Sequence, residues 1–147
     1  MTTAPPRIPA EFANLCVADV VVRLPKTMSV DTPVRDARAA LRDDHVHMLL
    51  LTDRGRLRGT LTRGDLPDHA DDMALALPYA VVEGRTAGSD LAAEQARLLM
   101  ISRGQRRLAV IDDEGALLGL LCLKRKLTGF CSDADVMARA ADQHHRM

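Results

Sequence analysis

Thr62 and Asp65, in the string Gly59-Thr60-Leu61-Thr62-Arg63-Gly64-Asp65, are the residues whose types and spacing could do chemistry. A carboxylate only accepts hydrogen bonds and has several lone-pair sites, so it takes two hydroxyl protons at once; a threonine hydroxyl donates to an anionic oxygen. A helix starting near Asp65 adds unpaired backbone N–H groups that attract an anion. The competing reading is that Thr62 and Asp65 simply cap that helix, because capping uses the same geometry. Further along, Cys122 stands where Thr62 does and Arg125 where Asp65 does. Arginine has donors only. That copy is surrounded by Arg103, Arg106, Arg107, Lys124 and Lys126, which prefer phosphate if they converge and otherwise form a solvated basic face.

Other candidates carry less. His45 and His47 share a side if they lie on a strand, but two histidines without a third ligand do not make a metal site; His47 is expected to line a cleft beside Met48, or both histidines to sit in a loop. Cys16, Cys122 and Cys131 form no Cys-x-x-Cys pair, so no zinc site is expected. They read as buried thiols of a reducing compartment, with a disulfide between subunits as the alternative. Asp112, Asp113 and Glu114 read as turn residues, Asp68, Asp71 and Asp72 as a solvated helix face, and His144 and His145 as a polar tail. No nucleophile elbow, P-loop or His-Glu-x-x-His motif occurs, so no catalytic residue is assigned and the chain is not expected to be an enzyme.

The elements that position these residues repeat. Met48-Leu-Leu-Leu-Thr-Asp-Arg-Gly-Arg-Leu-Arg-Gly-Thr-Leu-Thr62 is echoed by Leu108-Ala-Val-Ile-Asp-Asp-Glu-Gly-Ala-Leu-Leu-Gly-Leu-Leu-Cys122, with Gly59 and Gly119 standing 60 residues apart. The same shift sets Asp53 on Asp113 and Gly55 on Gly115. Each copy reads as an apolar strand, a glycine turn and an apolar return, a β-hairpin. A helix precedes each hairpin: the first capped by Thr32 with Pro33 at its first position and Val34, Ala37, Ala40 and Leu41 on one face, the second capped by Asp90. On that alignment the loop from helix to hairpin is one residue longer in the second copy. Short extended pieces at 27–30 and 85–87 come before the helices. A closing helix follows each hairpin, at 65–77 with Pro67 near its start and at 132–144 capped by Ser132.

These strings resemble the repeat of the cystathionine-β-synthase-type (CBS) domain family. Its hallmark is an apolar strand running into Asp-x-x-Gly, then Leu-x-Gly, then a Thr-x-x-Asp signature, as Leu49–Leu66 does. Ala18-Asp19-Val20-Val21 resembles the family's lead-in helix, and the resemblance spans residues 15–131. It implies an α+β fold of tandem CBS repeats, β-α-β-β-α twice with pseudo-twofold symmetry and small sheets flanked by helices. It also implies two symmetry-related clefts that take adenosyl ligands such as AMP, ATP or S-adenosylmethionine. The corresponding organisation is a flexible lead-in at 1–14, one repeat at 15–78 and a second at 79–147. The ligand-contacting residues expected on this basis are Thr27, His47, Met48, Thr62, Arg63, Asp65, Arg107 and Arg125, with Asp65 on the ribose.

Composition narrows the partners. Hydrophobic residues make up 47% and aromatics 2% of the 147, with 20 basic and 20 acidic side chains. A core of aliphatic residues is expected, without the field or the stacking platform that nucleic acid or an anionic membrane would engage. No apolar run reaches the roughly 20 residues that span a bilayer, and the N-terminus lacks a signal-peptide pattern, so a cytoplasmic location is expected. The expected role is a regulatory sensor of an adenosyl nucleotide, working as a homodimer on an unknown protein partner. The alternatives are a ligand-free dimeric scaffold or a regulatory subunit of a separate enzyme.

Overall fold

The computed structural model describes residues 15–23, 25–127 and 129–131. The expected lead-in at 1–14 and closing helix at 132–144 lie outside the described residues. The rest is α+β, with two small three-stranded sheets of identical plan. In the first, β1 (Thr27–Ser29) runs parallel to β2 (Leu49–Asp53), which pairs antiparallel with β3 (Arg56–Leu61). In the second, β4 (Thr86–Gly88), β5 (Arg107–Ile111) and β6 (Leu117–Cys122) do the same. Helices α2 (Val34–Leu41) and α3 (Ala93–Arg103) link the parallel strands, and a short α1 (Val17–Val20) opens the described chain.

Both hairpins form for the expected reason. Leu49, Leu50 and Leu51, like Leu108, Ala109 and Val110, are buried, and Gly55 (φ 81°) and Gly115 (φ 85°) take the left-handed turn position. Arg54 also lies at positive φ (52°), which makes the first turn a tight two-residue one. The repeat register differs from the single 60-residue shift. Leu49 pairs with Leu61 and Leu108 with Leu121, so the outgoing strands are offset by 59 and the returning strands by 60. The extra residue therefore sits in the second hairpin's turn, not in the loop before it, and Asp53 corresponds to Asp112. Asp112 uses its place as a turn residue: its carboxylate accepts from the backbone N–H groups of Glu114 and Ala116, both at 2.9 Å.

The closing helix at 65–77 does not form. Arg63–Asp65 and Leu77–Tyr79 are single 3-10 turns, and the chain between them makes isolated turns such as Ala70 N–H to the Pro67 carbonyl. The carbonyls that a helix would use internally are spent on α2. Ala74 accepts from the N–H of Val34 at 2.7 Å and Asp72 from that of Arg35 at 2.9 Å, while Ala76 donates to the Thr32 carbonyl. Those bonds satisfy the orphan donors at the start of α2. No side-chain cap is needed, and neither Thr32 nor Asp90 supplies one: the helices begin after Pro33 and Ala92. The second copy repeats the device with residues from the N-terminal side. Leu15 accepts from Ala93 N–H at 2.9 Å and Leu91 from Val17 N–H at 2.8 Å.

Residues 15–22 thus do for the second repeat what 74–81 do for the first. Val22 exchanges two backbone hydrogen bonds with Leu120, and Val81 two with Thr60. Gly59 and Gly119 admit these crossing segments: a Cβ on Gly119 would stand 2.5 Å from the Val22 carbonyl oxygen, and one on Gly59 would collide with the Ala80 side chain. Val17 and Val21 accordingly join the core of the second repeat with Met100, Leu108 and Leu121, while Ala76 joins that of the first with Val34, Leu49 and Leu61. The repeats meet on the pseudo-twofold axis through Met48, Leu50 and Ala109, and each hairpin donates to the other, Leu57 to Gly115 and Leu117 to Gly55. No helix among the described residues is long and apolar enough to cross a membrane.

Candidate ligand cleft

The 3-10 turn after β3 places Thr62 and Asp65, and a reciprocal capping box fixes them. The Asp65 carboxylate accepts from the Thr62 backbone N–H at 2.7 Å and from its hydroxyl at 3.0 Å. Capping is therefore realised. A further partner comes from the other repeat: Arg85, the last residue before β4, makes a two-pronged contact with the same carboxylate, its second prong at 3.0 Å. Burial pushes the Asp65 carboxyl up, but the hydrogen bonds from Arg85 and Thr62 outweigh it and hold the group below its ordinary value. The same bond raises Arg85 against its own burial.

Beside this pair lies a cavity of about 260 Å³ lined by His47, Met48, Thr62, Arg85, Gln105, Arg106 and Arg107. Gln105 and Arg106 sit between α3 and β5, held by the carbonyls of Gly84 and Leu123. Among the described residues each still has a buried polar atom without a partner, Oε1 of Gln105 and Nε of Arg106. Orphaned buried donors and acceptors are rare, and each calls for a partner such as a water, an ion or a ligand group. The pseudo-twofold relates this cavity to a second of about 280 Å³, lined by Val22, Pro25, Lys26, His45, Val46, His47, Met48, Arg107, Leu120 and Cys122. Its lining is mostly apolar, and it shares His47, Met48 and Arg107 with the first.

Four expected residues thus come together, His47, Met48, Thr62 and Arg107, with Asp65 behind Arg85 at the edge. Three others do not. Arg63 turns away and donates to the carbonyls of Leu41 at 2.6 Å and Asp43 at 2.7 Å, tying down the end of α2. Thr27 borders a shallow depression with Leu117 and Gly119. Arg125 is exposed in the turn after β6 and lines neither cavity. The residues that sequence reasoning missed are Arg85, Gln105 and Lys26, and Arg106, expected around Cys122 and Arg125, lines the Thr62 cavity instead. A signal for two of them existed: Lys26 and Arg85 occupy the same place before β1 and β4, and their carbonyls accept from Leu50 and Ala109 in turn. Among the described residues no group of three histidine, cysteine or carboxylate side chains is placed to hold a metal ion.

Residues 17–69 match the CBS domain family. No curated protein matches the sequence. Among solved structures, the chain is similar to a CBS domain pair/ACT domain protein from Thermotoga maritima (19% identity, covering 88% of this chain and 98% of that one, TM-score 0.63). It is also similar to a conserved CBS domain protein of unknown function from Thermoplasma acidophilum (19%, 86% and 76%, TM-score 0.60). A third similar structure is the cytosolic domain of the Mg2+ channel MgtE in complex with ATP (21%, 78% and 48%, TM-score 0.63).

Proposed function

We propose that this chain is a CBS domain pair protein, a reading its match at residues 17–69 and its fold support, and that it is a regulatory module sensing an adenosyl nucleotide in the cleft beside Thr62. The observation that carries the reading is the cluster of Arg85, Arg106 and Arg107 around a cavity whose Arg106 Nε and Gln105 Oε1 lack partners among the described residues. A guanidinium fork matches a phosphate; the Thr62 hydroxyl, which donates to Asp65 at 3.0 Å, becomes a donor to the ligand only once it turns from that carboxylate. The ATP complex of the MgtE cytosolic domain, which shares the fold, supports a nucleotide as the ligand class.

Asp65 enters on one condition. Its acceptor sites are engaged by Arg85, so reading a ribose requires Arg85 to leave. A nucleotide supplies the exchange, drawing Arg85 to its phosphate while its hydroxyls take over Asp65. Because Arg85 belongs to the second repeat and Asp65 to the first, that exchange changes the contact between repeats, which is how binding would reach a partner. A second copy of the chain and a separate protein are the partners in this reading. Exposed Met73 and Leu75, at 68% and 49%, supply apolar surface for such contacts.

Calorimetric titration of AMP, ATP and S-adenosylmethionine tests the proposal. Wild type is expected to bind at least one of them. Asp65→Ala is expected to weaken binding roughly ten- to a hundredfold, the loss of one hydrogen bond to a charged group. Arg106→Ala should weaken phosphorylated ligands most, and more at low salt. Arg125→Ala should bind as wild type does. The closed Asp65–Arg85 pair itself favours a second reading, a scaffold whose carboxylate is structural. Wild type that binds nothing in the panel establishes that reading over the first.

A further inference from the structure

Cys122 and Cys131 are both buried thiols, and their sulfurs lie 3.0 Å apart. The backbone explains the approach. After β6 the chain turns back on itself, with Leu123 opposite Phe130. Lys124 donates to Gly129 at 2.9 Å and Cys131 to Cys122 at 2.7 Å. That pattern puts Cys122 and Cys131 directly across from each other, joined by one backbone hydrogen bond, at the kind of position where Cα atoms stand about 5.5 Å apart. A disulfide needs a Cα separation within roughly 4.4–6.8 Å, so this pairing, with the sulfurs 3.0 Å apart, brings the two residues within reach of one. Sequence spacing alone hides this, because eight residues separate them.

We propose that Cys122 and Cys131 are a redox modification site that closes to a reversible intrachain disulfide. Cys122 also lines the wall of the more apolar cavity beside Leu120 and Met48, which gives a small oxidant its approach. With a low-molecular-weight disulfide as oxidant, the Cys122 thiolate attacks one of its sulfurs and releases one thiolate. The Cys131 thiolate then attacks the Cys122 sulfur of the mixed disulfide and releases the second. Two electrons pass from the cysteine pair to the oxidant, and the two thiol protons end on the released thiolates or in solvent. The product staples the loop carrying Lys124, Arg125 and Lys126 to β6. That loop is otherwise held by the buried Arg97, which donates to the Leu127 carbonyl at 2.8 Å while paired with Glu94.

The test uses the full chain, treated with oxidised glutathione, alkylated and digested with trypsin without reduction. Trypsin cuts after Lys124, Arg125 and Lys126, so the disulfide is expected as two peptides joined through Cys122 and Cys131, separated by dithiothreitol, with Cys16 alkylated. The melting temperature should rise on oxidation and return on reduction. Cys16→Ser should give the same joined peptides; Cys131→Ser should give only Cys122 carrying glutathione. Recovery of Cys122 and Cys131 both alkylated after oxidation, or linked instead to Cys16 or to a second chain, overturns the proposal.

Discussion

A single carboxylate shows how one residue holds competing roles. Asp65 caps its own turn and anchors an arginine of the other repeat that itself lines the cleft. Its folded-state pKa is lowered, so the stability it contributes is present above its unfolded value and is lost as pH falls through the folded one. Asp65→Asn is therefore expected to lower stability at neutral pH, by about 1.5–3 kcal/mol for a charged hydrogen-bonded group that leaves its partner behind. The difference from wild type should shrink as the pH falls below about 4. Urea unfolding of both proteins at pH 7 and pH 3 measures it, and a gap that stays constant would mean the charge contributes nothing. The sequence showed Thr62 and Asp65 as a pair but not their partner. Arg85 lies 20 residues further on, in a segment with little periodicity, and reaches Asp65 only through the fold.

At the scale of elements, the close crossing at β6 depends on the lack of a side chain at Gly119. Gly119→Ala puts a methyl group against the Val22 carbonyl and the Val21 side chain, which backbone cannot yield cheaply. A cost of about 1–3 kcal/mol is expected for such overpacking, read by thermal or urea denaturation; an unchanged midpoint would mean that residues 21–22 do not cross there in solution. The hairpins were legible because apolar runs broken by glycine are local signals. The segment 66–76 was not, because its fate is decided at a distance. Its alanines and aspartates fit a helix face, yet the carbonyls of Asp72 and Ala74 serve α2. The offset of 59 against 60 was hidden for a related reason: apolar residues tolerate a slide by one, and only strand pairing places the added residue in the turn.

Taken whole, the molecule is expected to unfold as one unit. Each hairpin donates to the other across the axis, Arg85 spans both repeats, and residues 15–22 complete the core of the repeat more distant in sequence. Calorimetry should give one transition, with the van't Hoff enthalpy equal to the measured one. Two resolved transitions would show that the repeats stand independently.

The pairing of 15–22 with the second repeat also makes the molecule a ring. Going round it, the first repeat is closed by 74–81, which leads into the second repeat, which is closed by 15–22, which leads back into the first. A ring of this kind has no preferred starting point. The hydrogen bonds that hold it ask only that a closing segment lie beside each returning strand, whichever end of the chain delivers it. Circular permutation that moves residues 15–22 from before the first repeat to after the second would keep the pattern intact, and the order in which the ribosome makes the two halves is separate from the order in which the fold joins them.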